Sequence, residues 1–370
     1  MNKKKTARNL IIVVALLIIL IVLISQIGDI SKIYNIITTS ANIKWFLVVI
    51  AVLIGYVLFY QLSLIFLTKQ KYKGLKIYDL FDIAGSEFFF NAITPFSSGG
   101  QPFQAYALKR CNVKLSDSTS ILLINFLVYQ IALNLVSIVF IFMYFSRLSS
   151  QISNFTILLV IGFSINLFIM ILLVLIGSTK FMGKAIIGIV RLLSKIKFLK
   201  KLLSGKEDSF NQYVSDMQIA FKEMFKHPIT LLFLLLSKVI ALLIYYSIPF
   251  FGFLAIGVNL GWENFLYVMA CSSFTFTITI WIPTPGASGG AEFAFQTLFA
   301  SLPVLKNASD TKNLALSGML IWRFFTYYVL IIYGMILYLI FERRHKNDFF
   351  GNNDINDKTN DIIEDEISIN

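Results

Sequence analysis

Apolar residues run through this chain in blocks too long for a soluble core. The runs Leu10–Ser25, Trp45–Leu67, Ile152–Ile176 and Leu231–Ile256 each approach or exceed the ~20 residues that carry an α-helix across a hydrocarbon core. Short alternating segments of the outer-membrane β type do not recur. Helices are then the spanning structure, because lipid cannot satisfy an open backbone. The pattern predicts six full spans, at about 10–26, 43–67, 116–145, 153–178, 228–256 and 313–341. Two further apolar stretches, about 79–105 and 263–303, are broken by Pro and Gly. The fold class that follows is an all-α polytopic membrane protein of eight to ten membrane helices. Each broken stretch is either re-entrant or a pair of short spans.

Composition agrees with this pattern. Of 370 residues, 57% are hydrophobic and 14% charged, against roughly 25% charged in a soluble domain. The basic start, Met1–Arg8, resembles a signal peptide, but no small-residue cleavage site follows, so a retained first helix is expected. Cys111 and Cys271 stand far apart without metal or redox spacing, and are read as small apolar fillers. His227 and His345 both fall outside the apolar runs, which argues against a His-based metal site or triad. Neither a phosphate-binding nor a dinucleotide motif is present, so no cofactor is expected.

Charge orients the chain. The N-terminus and the loops 68–78, 109–114, 180–226 and 342–346 carry twenty-four Lys and Arg; the alternate loops carry five. Cytoplasmic loops collect these residues, so both termini are expected in the cytoplasm of a bacterial cell. Segment 79–105 then enters and leaves from the cytoplasmic side, and segment 263–303 from outside. Loop 180–226 has Ile186, Ile187, Val190, Leu193, Ile196, Leu199 and Leu202 at helical spacing among many lysines, which suggests an amphipathic helix on an anionic leaflet. Positive-inside bias accounts for these charges without nucleic acid. The tail 346–370, acidic and rich in Asn, reads as disordered.

The broken segments share a motif. Thr94-Pro95-Phe96-Ser97-Ser98-Gly99-Gly100-Gln101-Pro102-Phe103 aligns without a gap with Thr284-Pro285-Gly286-Ala287-Ser288-Gly289-Gly290-Ala291-Glu292-Phe293, with six identical positions. Because the two enter from opposite faces, the halves at about 43–178 and 228–341 read as an inverted repeat. Interrupted helices in corresponding places of two halves point to a transporter's substrate site. Ser97, Ser98, Ser288 and Thr284 offer hydroxyls. Helices starting after Gly99-Gly100 and Gly289-Gly290 would aim their positive ends at an anion; tight hairpin turns are the plainer alternative. Glu87, Lys238, Glu292 and Arg323 lie in apolar surroundings, where a charge is costly. Lys238 and Arg323 are expected near the midplane, either as a cationic pocket with Glu87 and Glu292 as counter-charges or as internal ion pairs. Lys109 and Arg110 suit a headgroup at the surface or simple anchoring equally well.

Asn91 through Pro95 with Ser98 through Tyr106, and Pro283 through Glu292, resemble the two signatures of the flippase-like membrane domain of lysylphosphatidylglycerol synthases, the multiple-peptide-resistance factor family. The resemblance covers about residues 8–345, so 1–345 is expected to form one flippase-like domain. In that family a cytosolic domain transfers lysine from lysyl-tRNA to phosphatidylglycerol, and the membrane domain carries the product outward, which repels cationic peptides. After residue 346 this sequence has 24 residues, and loop 180–226 has 47, each too short for an acyltransferase fold. The resemblance therefore implies the lipid-moving half, with an anionic or lipid-phosphate headgroup as partner. A lysyltransferase or its subunit, and a scaffold for a separate soluble transferase, remain alternatives, as does a homo-oligomer.

Overall fold

The computed structural model describes residues 42–151, 153–193, 207–280, 282–306 and 311–345. The predicted span 10–26, the residues Ile196, Leu199 and Leu202 and the tail 346–370 lie outside the described residues. Among the described residues there are helices and turns and no strand. Five of the six predicted spans are present as helices long and apolar enough to cross a membrane. Helix α1 is Ile43–Lys71. The first broken segment gives α2, Ile77–Ile93, and α3, Gly100–Arg110. Helices α4, Leu115–Gln151, and α5, Ser153–Ser178, follow. Between them and the second half lie α6, Lys180–Leu193, and α7, Glu207–Met224.

The second half repeats the order. It consists of α8, Pro228–Ala255, then the broken pair α9, Phe265–Thr279, and α10, Gly290–Ala300. A short α11, Pro303–Lys306, leads to α12, Thr311–Arg323. A π-helical turn, Phe324–Val329, joins α12 to α13, Leu330–Arg344. Such a turn widens one coil of a helix and is frequent at functional sites. Here it begins directly after Arg323.

Helix ends are closed by the residue types found there. Pro228 opens α8, where its missing N–H costs nothing. At the end of α1, Lys69 Nζ donates to the Lys73 and Leu75 carbonyls at 2.7 Å each, so a cation sits on the negative end of the helix.

Lipid tails are as apolar as Leu, so these helices associate through close packing rather than through water exclusion. Helices α1 and α8 run together as the central pair, one from each half, and α2 packs on α13. Rings interlock between the central pair, with Tyr56 and Tyr245 centroids 5.0 Å apart. Glycine permits the closest approaches. A Cβ at Gly334 would stand 2.6 Å from the Phe89 backbone nitrogen, so α13 meets α2 with no room for a side chain. Gly334→Leu is expected to lower the stability of the solubilised protein by about 1–3 kcal/mol, through overpacking. A fall in Tm checks this, with Gly188→Ala, where a Cβ meets nothing within 4 Å, as the unchanged control.

The apolar spacing that suggests a leaflet helix begins in α6, Lys180–Leu193, and its continuation lies outside the described residues. Further along the loop, helix α7 docks on the bundle, burying Val214, Met217 and Phe221. Gln218 donates to the Ile176 and Thr179 carbonyls at 2.8 Å each, closing the end of α5. Lys114 pairs with Asp216 at 2.6 Å, and that hydrogen bond holds the Asp216 carboxyl below its ordinary range. In α6, Phe181 and Leu192 are exposed, as an apolar face seeking lipid would be.

Candidate functional site

Helix α2 ends where Pro95 removes a backbone donor and forces the preceding residue into extended geometry. Thr94 accordingly has φ −112° and ψ 146°, and Thr284 before Pro285 has φ −92° and ψ 147°. The next residues repeat as well. Phe96 and Ser97 have φ of 55° and 50°, and their counterparts Gly286 and Ala287 have 62° and 53°. The Ser98 hydroxyl donates to the Pro95 carbonyl at 2.9 Å, and Ser288 donates to Pro285 at the same distance. Helices α3 and α10 then start at Gly100 and Gly290 and stop at Arg110 and Ala300, the same two positions of the repeat. One turn shape is thus used twice as far as Ser97 and Ala287, after which the motifs diverge: Gly99 has φ −79° and Gly289 +88°. Left-handed geometry at Phe96, Ser97 and Ala287 costs of order 1–3 kcal/mol each, and such strain clusters at functional sites.

The two turns meet. Pro95–Ser97 packs on Pro285–Ala287. A Cβ on Gly286 would lie 2.2–2.4 Å from the Tyr327 ring, and the Tyr327 hydroxyl donates to the Ala92 carbonyl at 3.1 Å. One tyrosine from the π-turn region therefore locks the second motif against the end of α2. Beside this junction is a cavity of about 420 Å³. Its walls use corresponding positions of both motifs: Phe96 with Gly286, Ser97 with Ala287, and Gln101 with Ala291. Irregular backbone at membrane depth survives where it lines such a space or is buried in protein.

The charged residues separate into two groups. Glu87 and Arg323 line the cavity. Glu87 is 7% exposed and accepts from the Tyr60 hydroxyl at 3.1 Å, Asn91 Nδ2 at 3.2 Å and Gln104 Nε2 at 3.0 Å. A carboxylate has about four acceptor positions, so Glu87 keeps room for one further donor. Arg323, also 7% exposed, has Nε 2.8 Å from Glu292 Oε1. That contact is an ion pair without hydrogen-bond alignment, and Arg323 Nη2 has no hydrogen-bond partner. The Trp322 and Tyr327 rings lie 5.1 and 5.2 Å from the guanidinium carbon.

Lys238 belongs elsewhere. It is 1% exposed, donates to the Tyr60 carbonyl at 2.8 Å, and rests 3.7 Å from the Tyr60 ring centroid. Tyr60 stands between it and Glu87, so the ammonium supports the cavity wall from behind. Arg110 is likewise a structural tie, pairing with Glu342 at 2.6 Å.

The helix starts differ from the expected anion seats. Gly99 N–H donates to Thr94 Oγ1 at 2.8 Å, Gly100 N–H to Asn91 Oδ1 at 2.9 Å, and Gly289 N–H to Glu292 Oε2 at 2.7 Å. Thr284 Oγ1 donates to the Ser288 carbonyl at 3.0 Å. The Gly99, Gly100 and Gly289 N–H groups are therefore already taken by protein acceptors. Of the motif residues, Ser97, Ser98, Gln101 and Gly286 line the cavity. Thr94, Pro95, Gly99, Gly100, Thr284, Pro285, Ser288, Gly289, Gly290 and Glu292 shape the turns and caps around it.

Sequence reasoning missed the aromatic lining. Tyr56, Tyr60, Tyr129, Tyr245, Phe276 and Trp322 are among the rings that line it. The available signal was tyrosine inside apolar spans, notably Tyr56 and Tyr60 one helical turn apart. It also missed a polar meeting point at the far ends of α2, α3 and α13. There Cys111 Sγ lies 3.8 Å from His345 Nε2, so Cys111 is no mere apolar filler, while Cys271 is fully buried in the core as expected.

Comparison with protein families gives one match: the model described as the lysylphosphatidylglycerol synthase TM region covers residues 10–334. No curated protein and no solved structure matches the chain.

Proposed function

This chain belongs to the lysylphosphatidylglycerol synthase TM-region family, a multi-pass membrane protein with a membrane-lipid role, and from that premise we propose that it moves a phospholipid headgroup across the bacterial cytoplasmic membrane. The observation that carries this reading is the cavity at the junction of the two broken motifs, with Glu87 and Arg323 among its walls. Arg323 Nη2 offers a donor to a lipid phosphate. Glu87, with one acceptor position left, suits an ammonium such as that of an aminoacylated headgroup, and the surrounding tyrosines add cation–π attraction. A headgroup carrying both signs of charge would use both residues, so aminoacyl-phosphatidylglycerol fits better than a glycolipid with a phosphate alone. Acyl chains would trail in the bilayer beside the exposed Phe96, Ser97 and Ser98. With both termini cytoplasmic, the motifs enter from opposite faces, and rocking of one half on the other exposes the cavity to each side in turn. Transport of this kind would contribute to envelope charge and resistance to cationic peptides.

A photo-crosslinker placed at Gln101 or Ala291 is expected to capture lipid headgroup in native membranes, whereas one at exposed Lys109 on the outer side of α3 captures none. Mass spectrometry of the adducts reads the headgroup. Equal capture at Lys109, or none at the two cavity positions, would remove the cavity from the pathway.

A further inference from the structure

Three chain segments that are distant in sequence end together at the side of the bundle away from the motifs. Asp79 lies in the first turn of α2, Cys111 caps the end of α3, and His345 caps the end of α13. One ligand-type atom from each lies within 4.8 Å of the other two. Cys111 Sγ and Asp79 Oδ2 are each 3.8 Å from His345 Nε2. Tetrahedral zinc, with bonds of about 2.0–2.3 Å, sets its donor atoms roughly 3.5 Å apart. Two of the three separations are therefore within a few tenths of an ångström of the required spacing before any ion draws the donors in, and the third is no more than 4.8 Å.

The supporting contacts orient each donor. His345 Nδ1 lies 3.2 Å from the Phe341 carbonyl, one helical turn back, and the ring stacks on Phe341 with centroids 4.4 Å apart. A proton on Nδ1 donated to that carbonyl leaves the Nε2 lone pair pointing at Cys111 and Asp79, the arrangement that usually fixes a metal-binding imidazole. Asp79 is held the same way: Arg344 takes Oδ1, which leaves Oδ2 turned toward His345. Arg110 fixes the His345 backbone by donating to its carbonyl. In that tautomer the Asp79 carboxylate faces the Nε2 lone pair with no cation between them. With one, all three groups point at the same charge.

We propose that Asp79, Cys111 and His345 form a divalent transition-metal site, with zinc as the ion whose preferences match a sulfur, nitrogen and oxygen donor set. Three protein ligands leave the fourth position to water. On binding, the Cys111 thiol releases its proton to solvent and the thiolate bonds the metal, so affinity rises with pH. The site clamps both ends of the first broken segment, Asp79 at its start and Cys111 at its close, onto the last helix. Its role is structural: it fixes the base of the hairpin whose tip carries Thr94–Pro102.

The test uses the full purified chain, stripped of metal and titrated with cobalt(II), whose thiolate complexes absorb in the near ultraviolet. One equivalent of cobalt is expected to produce that absorption, Cys111→Ser to abolish it, and Cys271→Ala to preserve it. Zinc is expected to raise the Tm of the wild type and leave that of Cys111→Ser unmoved. His345→Gln, which keeps both thiols, supplies a second reading: cobalt affinity falls at least about tenfold, as for loss of a ligand or its support. No thiolate absorption in the wild type would overturn the proposal. So would absorption that survives Cys111→Ser, or equal cobalt affinity in wild type and His345→Gln.

Discussion

Arg323→Ala is expected to reduce lipid translocation to the protein-free background while the protein still inserts and purifies. Among the described residues, Arg323 presents the one guanidinium in the cavity wall, and its Nη2 has no hydrogen-bond partner there. Charge-assisted hydrogen bonds contribute about 1.5–3 kcal/mol, which corresponds to roughly 10- to 150-fold in rate at 1.4 kcal/mol per decade. The same change strands Glu292, whose carboxylate loses its ion-pair partner at 2.8 Å. Removing one member of a buried pair costs about 3–5 kcal/mol, but the Glu292 side chain is 29% exposed, so the loss of stability falls below that range. Glu292→Gln separates the two effects. Its amide oxygen still accepts from Gly289 N–H, so α10 keeps its cap while Arg323 loses its counter-charge. That variant is expected to fold normally and to transport with altered headgroup preference.

Gly286→Val is expected to be nearly as damaging, for a steric reason. Gly286 has φ +62°, where a β-branched residue is an outlier. A Cβ there would also lie 2.2–2.4 Å from the Tyr327 ring. Strain of about 1–3 kcal/mol adds to overpacking of similar size, and Tyr327 can yield only by giving up its hydrogen bond to Ala92. The two motifs would separate, with a fall in Tm and loss of transport together. Phe96 occupies the corresponding position with φ +55°. Phe96→Gly therefore removes backbone strain at the same place in the first motif, and its Tm is expected to hold or rise. The pair of measurements tests whether positions 96 and 286 share one left-handed turn under two different side-chain constraints.

The spans and the duplication were legible in the sequence because each rests on a one-dimensional signal. Long apolar runs set helix lengths, and Pro95 and Pro285 set where helices break. The duplication proved to carry one turn geometry at Thr94, Phe96 and Ser97 and their counterparts Thr284, Gly286 and Ala287, while the shared Ser-Gly step differs, Gly99 having φ −79° and Gly289 +88°. The cavity wall was less legible. Spans such as α1 and α5 are apolar almost all round, so their sequence period gives no facing direction, and the meeting of Tyr56 with Tyr245 could not be read from spacing. Glu87 and Arg323 stood out as ions among apolar neighbours, but so did Lys238, which the structure sets behind Tyr60. The capping of Gly99, Gly100 and Gly289 by Thr94, Asn91 and Glu292 was hidden for another reason. A helix N-terminus looks open in sequence until its side-chain acceptors are known. His345 and Cys111 are 234 positions apart, beyond any spacing rule, and only the packing of α13 on α2 brings them together.

The central claim, that the junction of the two broken motifs carries a headgroup across the membrane, is tested most directly in sealed proteoliposomes. Purified full-length chain is reconstituted with aminoacyl-phosphatidylglycerol bearing a fluorophore on an acyl chain, and headgroup exposure on the outer leaflet is followed with an amine-specific membrane-impermeant reagent. The account predicts translocation well above protein-free vesicles for the wild type, and the protein-free rate for Arg323→Ala. A wild-type rate equal to that of protein-free vesicles, or an Arg323→Ala rate equal to the wild type, would contradict it.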